Sequence, residues 1–332
     1  MVGMPHHKKH DSYWSRLAPD LLQLICKNIL DISDFVRFRA VCKDWRMAIH
    51  LSDYSQQPCL FNADILNFNF YTLNSTQWTK FEIVSNFKEK TVLGSSQGYM
   101  LIRDVKTWSH YLLNPITGNE IQLPLHDYYL KLLDVELEEG VPKYVAVFTC
   151  ELIHLAAFVK IYRIEDEKLT MVYQECTAPD VVGTFYKSSI YITSSYDGKV
   201  IDRKPGIAMH RMSPPTNMNP FRQCRPCGIA SGLLLLEINT RNPECLFEIY
   251  RLDDENGSAR WIKTNNIGGL VVFWTWTSCI CLETNNSGLY KRNSVYYRSS
   301  KRFGRFDIEN ATAEILQSPP PIWYSWFLPS LV

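Results

Sequence analysis

No apolar run in the 332 residues is long enough to cross a bilayer. The longest, Gly232–Leu236 and Gly269–Trp276, fall far short of the ~20 residues that a spanning helix requires. An excess of either charge is also missing: 35 Lys and Arg stand against 34 Asp and Glu, and no segment gathers the surplus. Nucleic acid is normally met with a concentrated basic surface, so it is not an expected partner. The nearest approach to such a surface, Arg298, Lys301, Arg302 and Arg305, reads as a solvated loop. Residues 1–10 are polar, close on His-His-Lys-Lys-His, and lack the apolar stretch of a signal peptide. The expected setting is therefore the cytoplasm or the nucleus. There the sequons at Asn74, Asn285 and Asn310 stay unmodified and the ten cysteines stay reduced. With 46% hydrophobic and 21% charged residues, the composition is that of a folded globular protein rather than a disordered one.

Signatures of catalysis are equally sparse. There is no phosphate-binding loop, dinucleotide fingerprint or His-Glu-x-x-His. Gly94-Ser95-Ser96-Gln97-Gly98 fits the Gly-x-Ser-x-Gly pattern of a nucleophile elbow, but that device needs a helix after its serine. Tyr99–Val105 reads as a strand, so a β-turn explains these glycines better. Cys224 and Cys227 raise the question of a zinc site completed by Cys279 and Cys281. The second pair, one residue apart, is expected to send its thiols to opposite faces of a strand, which leaves buried cysteines acting as small hydrophobes. His6, His7 and His10 read as part of a polar tail, and Asp253, Asp254 and Glu255 as a solvated turn. No catalytic residue, metal ligand or cofactor is assigned.

What is present divides near residue 52. Before it, apolar residues recur at helical spacing. Pro19 and Asp20 suit a first helical turn, Leu21, Ile25 and Ile29 recur every four residues, and Leu22 and Cys26 flank them. Phe35, Phe38 and Val41 form a second stripe, and Cys42, Trp45 and Ile49 a third. Three helices in so few residues bury little core and gain by docking against a partner. After residue 52 the helical period gives way to short β-branched and aromatic runs between Gly, Asn, Asp and Pro. Nine read as strands: Tyr99–Val105, Trp108–Leu113, Tyr144–Phe148, Phe158–Ile164, Leu169–Tyr173, Leu233–Ile238, Leu246–Leu252, Leu270–Trp274 and Ser294–Arg298. Propeller, barrel and sandwich all fit such a pattern. Length favours a six-bladed propeller at roughly 40–50 residues per blade, although no repeat is visible at fixed period. The segment from Asp202 to Arg222 reads as a long loop. The expected domains are a tail at 1–10, a helical bundle at 11–51 and an all-β domain at 52–332.

The helical residues resemble an F-box, in the run from Trp14 through Leu17, Pro19, Leu21 and Leu22 and in the second run from Phe35 to Arg46. One departure is that Leu17 is followed by Ala18, with the proline one place later than in the usual Leu-Pro pair. The remainder resembles a plant family that joins an F-box to a KIB-type β-propeller. That resemblance is carried by Gly94–Ile102, Leu112–Pro124, Phe247–Asp253 and Trp323–Leu331. It implies a small helical F-box bundle followed by a propeller, working as a non-catalytic substrate receptor in a Skp–cullin–F-box ubiquitin ligase. A Skp-type adaptor, and through it a cullin–RING ligase, would be the partner. Leu17, Pro19, Leu21, Leu22, Phe35 and Val36 would meet that adaptor, while Ile25 and Trp45 hold the bundle together. An adaptor-binding protein acting outside a ligase, or a propeller enzyme with its site in the central channel, are the alternatives.

Overall fold

The computed structural model describes Trp14 and most residues from Leu17 onward. Residues 1–13, 51–56, 203–209, 213–222, 239–246, 254–259, 285–289, 317–323 and several shorter segments lie outside the described part. Two compact units result, divided between Gln57 and Pro58. The first holds three short helices: α1 (Pro19–Cys26), α2 (Ile32–Arg39) and α3 (Lys43–Ala48). Pro19 opens α1 as expected, where its missing N–H costs nothing, and Asp20 sits at the positive end of the helix.

The second unit is a β-propeller with no helix among its described residues. Its chain winds through β1 (Cys59–Asp64), β2 (Asn67–Asn74) and β3 (Gln77–Phe81) of a first sheet. A second sheet runs β4 (Lys90–Ser96), β5 (Tyr99–Asp104), β6 (His110–Leu113) and β7 (Glu120–Leu123). The third comprises β8 (Tyr129–Glu138), β9 (Val141–Glu151), β10 (Ala156–Glu165) and β11 (Lys168–Thr177). In the fourth lie β12 (Val182–Tyr186), β13 (Ser189–Thr193), β14 (Gly198–Asp202) and β15 (His210–Met212). The fifth holds β16 (Gln223–Ile229), β17 (Gly232–Ile238), β18 (Phe247–Asp253) and β19 (Arg260–Thr264). The sixth contains β20 (Leu270–Trp274), β21 (Cys279–Glu283), β22 (Ser294–Ser299), β23 (Arg302–Asp307) and β24 (Thr312–Leu316). Finally β25 (Tyr324–Phe327) returns to pair with β1.

All nine predicted strands are present. β15, by contrast, falls inside the segment Asp202–Arg222 read from sequence as loop; Asp202 ends β14, and residues 203–209 and 213–222 lie outside the described residues. The basic cluster is corrected as well. Arg298 and Arg305 lie on the antiparallel strands β22 and β23 rather than in a loop, and Arg305 pairs with Glu314 at 2.6 Å. In the sixth sheet the spatial order β21-β20-β22-β23-β24 departs from chain order, with β20 and β22 parallel.

One strand of each sheet touches its counterparts in both neighbouring sheets. β25 meets β4, β4 meets β8, β8 meets β12, β12 meets β16, β16 meets β21, and β21 meets β25. Two glycines permit this approach. A Cβ on Gly94 would stand 2.8 Å from Cβ of Leu132, and one on Gly228 would stand 2.6 Å from the Phe185 carbonyl. The inner strands β4, β12 and β21 are half-exposed throughout most of their length, whereas the second strands β17 and β20 are buried at every residue. Closure rests on Trp326 of β25. It is fully buried against Phe273 and Phe303, donates from its indole N–H to the Trp274 carbonyl at 3.2 Å, and gives its backbone N–H to Ser278 Oγ at 2.8 Å. The described part of the aromatic segment 322–331 packs rather than trails, with Trp326, Phe327 and Ser330 all buried.

Candidate functional site

In the helical unit, one row of each helix points inward. Leu22 and Cys26 of α1, Ile32 and Phe35 of α2, and Trp45 and Ile49 around α3 are buried. Trp45 packs against Phe38 in a tilted arrangement with centroids 4.6 Å apart and donates its indole N–H to the Trp14 carbonyl at 3.0 Å. Arg39 Nε donates to the Ile49 carbonyl at 2.9 Å, which ties α2 to the end of α3.

This arrangement corrects the sequence assignment at three residues. Leu22, 2% exposed, and Phe35, 0% exposed, were placed at the adaptor contact but form the core. Ile25, assigned to the core, is 42% exposed. Leu21, Ile25 and Ile29 recur every four residues as read from sequence, but the adjacent Leu22–Cys26 row is the one that turns inward. That row carries a cysteine, a weaker hydrophobic signal than the leucine and isoleucines beside it. Leu21, Leu24 and Ile25 thus share an outward apolar face on α1, and Val36, Val41 and Met47 are also exposed. Leu17 is half-buried and Pro19 exposed. Leu24 and Met47 were not singled out from sequence, and Val41 was read only as part of the second helical stripe. The i, i+3, i+4 spacing of Leu21, Leu24 and Ile25 was the available signal for the first of them.

The residues that suggested chemistry have other tasks. Ser96 ends β4, and Gln97-Gly98 turns directly into β5, so strand follows strand. Its hydroxyl donates to Asp134, a buried carboxylate on β8. Asp134 also accepts the N–H of Val135 at 2.8 Å, the N–H of Phe185 at 2.6 Å and the hydroxyl of Thr184 at 3.0 Å. One carboxylate therefore laces β4, β8 and β12. Burial raises its pKa above the ordinary carboxyl value, against the pull of these four donors.

The cysteines require a second correction. Alternation along a strand puts residues i and i+2 on one face, so Cys279 and Cys281 point the same way, and both pack on the core cluster that contains Cys227. Ile280 between them joins a different cluster. The pair that splits is the first one, since Cys224 and Cys227 are three apart on β16. Hydrogen bonding from Cys227 and then desolvation hold the half-buried Cys279 thiol well above its ordinary range, as suits an unreactive thiol. Among the described residues no group of three or more His, Cys, Asp or Glu is arranged to hold a metal ion. Asp253 pairs with Arg260 at 3.0 Å, while Asp254, Glu255, His6, His7 and His10 lie outside the described residues.

Comparison with known proteins adds an independent line. An Arabidopsis thaliana protein named for an F-box is 23% identical over 313 residues, covering 86% of this chain and 85% of the relative. Among solved structures, TolB from Acinetobacter baumannii is similar with a TM-score of 0.49 and 10% identity, over 82% of this chain and 66% of that one. A protein of Listeria monocytogenes, lmo1340, gives a TM-score of 0.37 and 13% identity, over 73% and 88% of the two chains. A sequence model of the KIB1-4 beta-propeller matches residues 70–314, nearly the whole of the β unit, and on that match the chain belongs to the KIB1-4 beta-propeller family.

Proposed function

We propose that this chain is a non-catalytic substrate receptor of a Skp–cullin–F-box ubiquitin ligase, working in the cytoplasm or nucleus. The helical unit docks on a Skp-type adaptor, and the propeller, whose six sheets serve as six blades, holds the target. The partner enzymes carry out the ubiquitin chemistry, and this chain supplies proximity.

The observation that carries the reading is the solvent-facing apolar surface of a very small helical unit. Leu21 is 50% exposed and lies beside Leu24 and Ile25, while the inward row is already satisfied by Leu22, Cys26 and Phe35. Contiguous apolar area on so small a module marks a docking face. The F-box resemblance over the same residues, and the F-box name of the Arabidopsis relative, give the partner's class. Leu17, Pro19, Leu21 and Val36 stay in the proposed contact, joined by Leu24 and Ile25, and Leu22 and Phe35 leave it.

The test is a pull-down of the intact chain with a Skp-type adaptor. Leu21→Glu combined with Ile25→Glu places two charges in an apolar contact, and binding should fall by well over the tenfold that ~1.4 kcal/mol represents. Adaptor capture unchanged by the double variant would overturn the reading.

A further inference from the structure

The fifth and sixth sheets pack through a shared apolar cluster, and beside it lies a cavity of about 430 Å³. It is lined by Arg251 of β18, by Glu283 at the end of β21, by Arg292, and by the Gly268-Gly269 turn before β20. That volume suits one or two side chains of a ligand, not a folded surface.

Its rim is held in place by the protein alone. Asn293 Oδ1 accepts the Ile267 N–H at 2.8 Å, and Asn266 Oδ1 accepts the Gly268 N–H at 2.7 Å. The Gly269 carbonyl takes both the N–H and the hydroxyl of Thr284, at 3.1 and 2.8 Å. The same Thr284 Oγ1 accepts Arg292 Nε–H at 3.2 Å, which fixes that guanidinium at the wall. A Cβ on Gly268 or Gly269 would meet nothing within 4 Å, so these residues border open space. Gly268 needs its glycine for a φ of +72°, whereas Gly269 has no such requirement.

Charge selects the ligand. Arg260 and Arg305 are tied to carboxylates elsewhere on these sheets, whereas half-buried Arg251 has no ion-pair partner among the described residues. Among the described residues that line the cavity, two guanidinium groups, of Arg251 and Arg292, stand beside one carboxylate, that of Glu283. We propose that this cavity seats an acidic side chain, an Asp or Glu on a peptide segment of the target, with its carboxylate on Arg251 and Arg292 and its flanking apolar surface on Leu270. A phosphorylated side chain brings close to two negative charges and would face Glu283 with the surplus. The proposal rests on the reading of the propeller as the target-holding unit.

The experiment measures binding of three capped pentapeptides to the intact chain by NMR titration. Their central residue is Glu, Gln or phosphoserine, each between two leucines. The Glu peptide should bind about tenfold more tightly than the Gln peptide, as expected of charge-assisted bonds to a guanidinium. Arg251→Gln should remove that preference. Gly269→Leu should fill the cavity and abolish binding while thermal melting stays unchanged. Equal affinity for the Glu and Gln peptides, binding that survives both variants, or a stronger phosphoserine peptide would each overturn the proposal. Adaptor capture is read on the same samples. Its retention without peptide selectivity rejects the cavity alone, and its loss with selectivity intact rejects the ligase reading alone.

Discussion

Asp134 shows how a single residue organises this ring. A buried carboxylate is costly unless donors surround it, and here donors come from its own strand and from both adjacent inner strands. In Asp134→Asn the amide NH2 would face one of two backbone N–H groups, so one buried donor goes unmet. The expected loss is about 1–3 kcal/mol in chemical denaturation. The pH dependence has a definite sign. The folded state binds the Asp134 proton more tightly than the unfolded chain, whose value lies near 3.8. Stability should therefore fall as pH rises from there through the higher folded value, and Asp134→Asn should lack this fall. Denaturation midpoints of both proteins across the acid range decide it, and parallel curves would refute the assignment. Nothing in the sequence marks Asp134, because its partners Ser96, Thr184 and Phe185 are distant in the chain.

At the scale of elements, α1 separates packing from presentation within two adjacent residues. Leu22 and Leu21 are the same amino acid, yet one is buried and the other half-exposed, since neighbours on a helix lie about 100° apart. Leu22→Ala or Phe35→Ala should each cost ~2–5 kcal/mol in the helical unit and reduce the helical circular dichroism signal. Leu21→Ala with Ile25→Ala should leave that signal almost unchanged. Equal losses from the two sets would show that the inward row has been misassigned. The strands divide by a similar rule. None of the nine read from sequence is an inner strand, and those nine occupy the second, third or outer positions. Second strands such as β17, Gly232–Ile238, are buried on both faces and read as continuous apolar runs. Inner strands such as β4, with its Gly-Ser-Ser, and β21, with its alternating cysteines, border open space and carry a weak hydrophobic signal.

For the whole molecule the decisive contact joins the two ends of the β unit. β25 pairs with β1 across more than 260 positions of sequence (Cys59 faces Phe327), and Trp326 fills the junction between the first and sixth sheets. Trp326→Ala should cost ~3–5 kcal/mol, from lost packing and the lost bond to Trp274. A melting temperature lowered by roughly 10 °C follows for a domain of this size. Trp326→Phe should recover part of the loss because the aromatic contacts remain. A melting temperature unmoved by Trp326→Ala would mean that the ring does not depend on this closure.

Sequence alone determined the class of each region, because apolar period is a local property: a spacing of three to four makes helices, and short β-branched runs between turn formers make strands. Motif order in residues 14–46 likewise suggested the F-box without any coordinates. Only the tertiary structure decided which helical row turns inward, that Cys227 meets Cys279 and Cys281 in one core cluster, and that Asp134 holds three sheets together. It also brought Arg251 of the fifth sheet, Glu283 of the sixth and Arg292 of the bend before β22 to a single cavity. Each of these depends on contacts between residues far apart in the chain, and local periodicity carries no information about which distant surfaces meet.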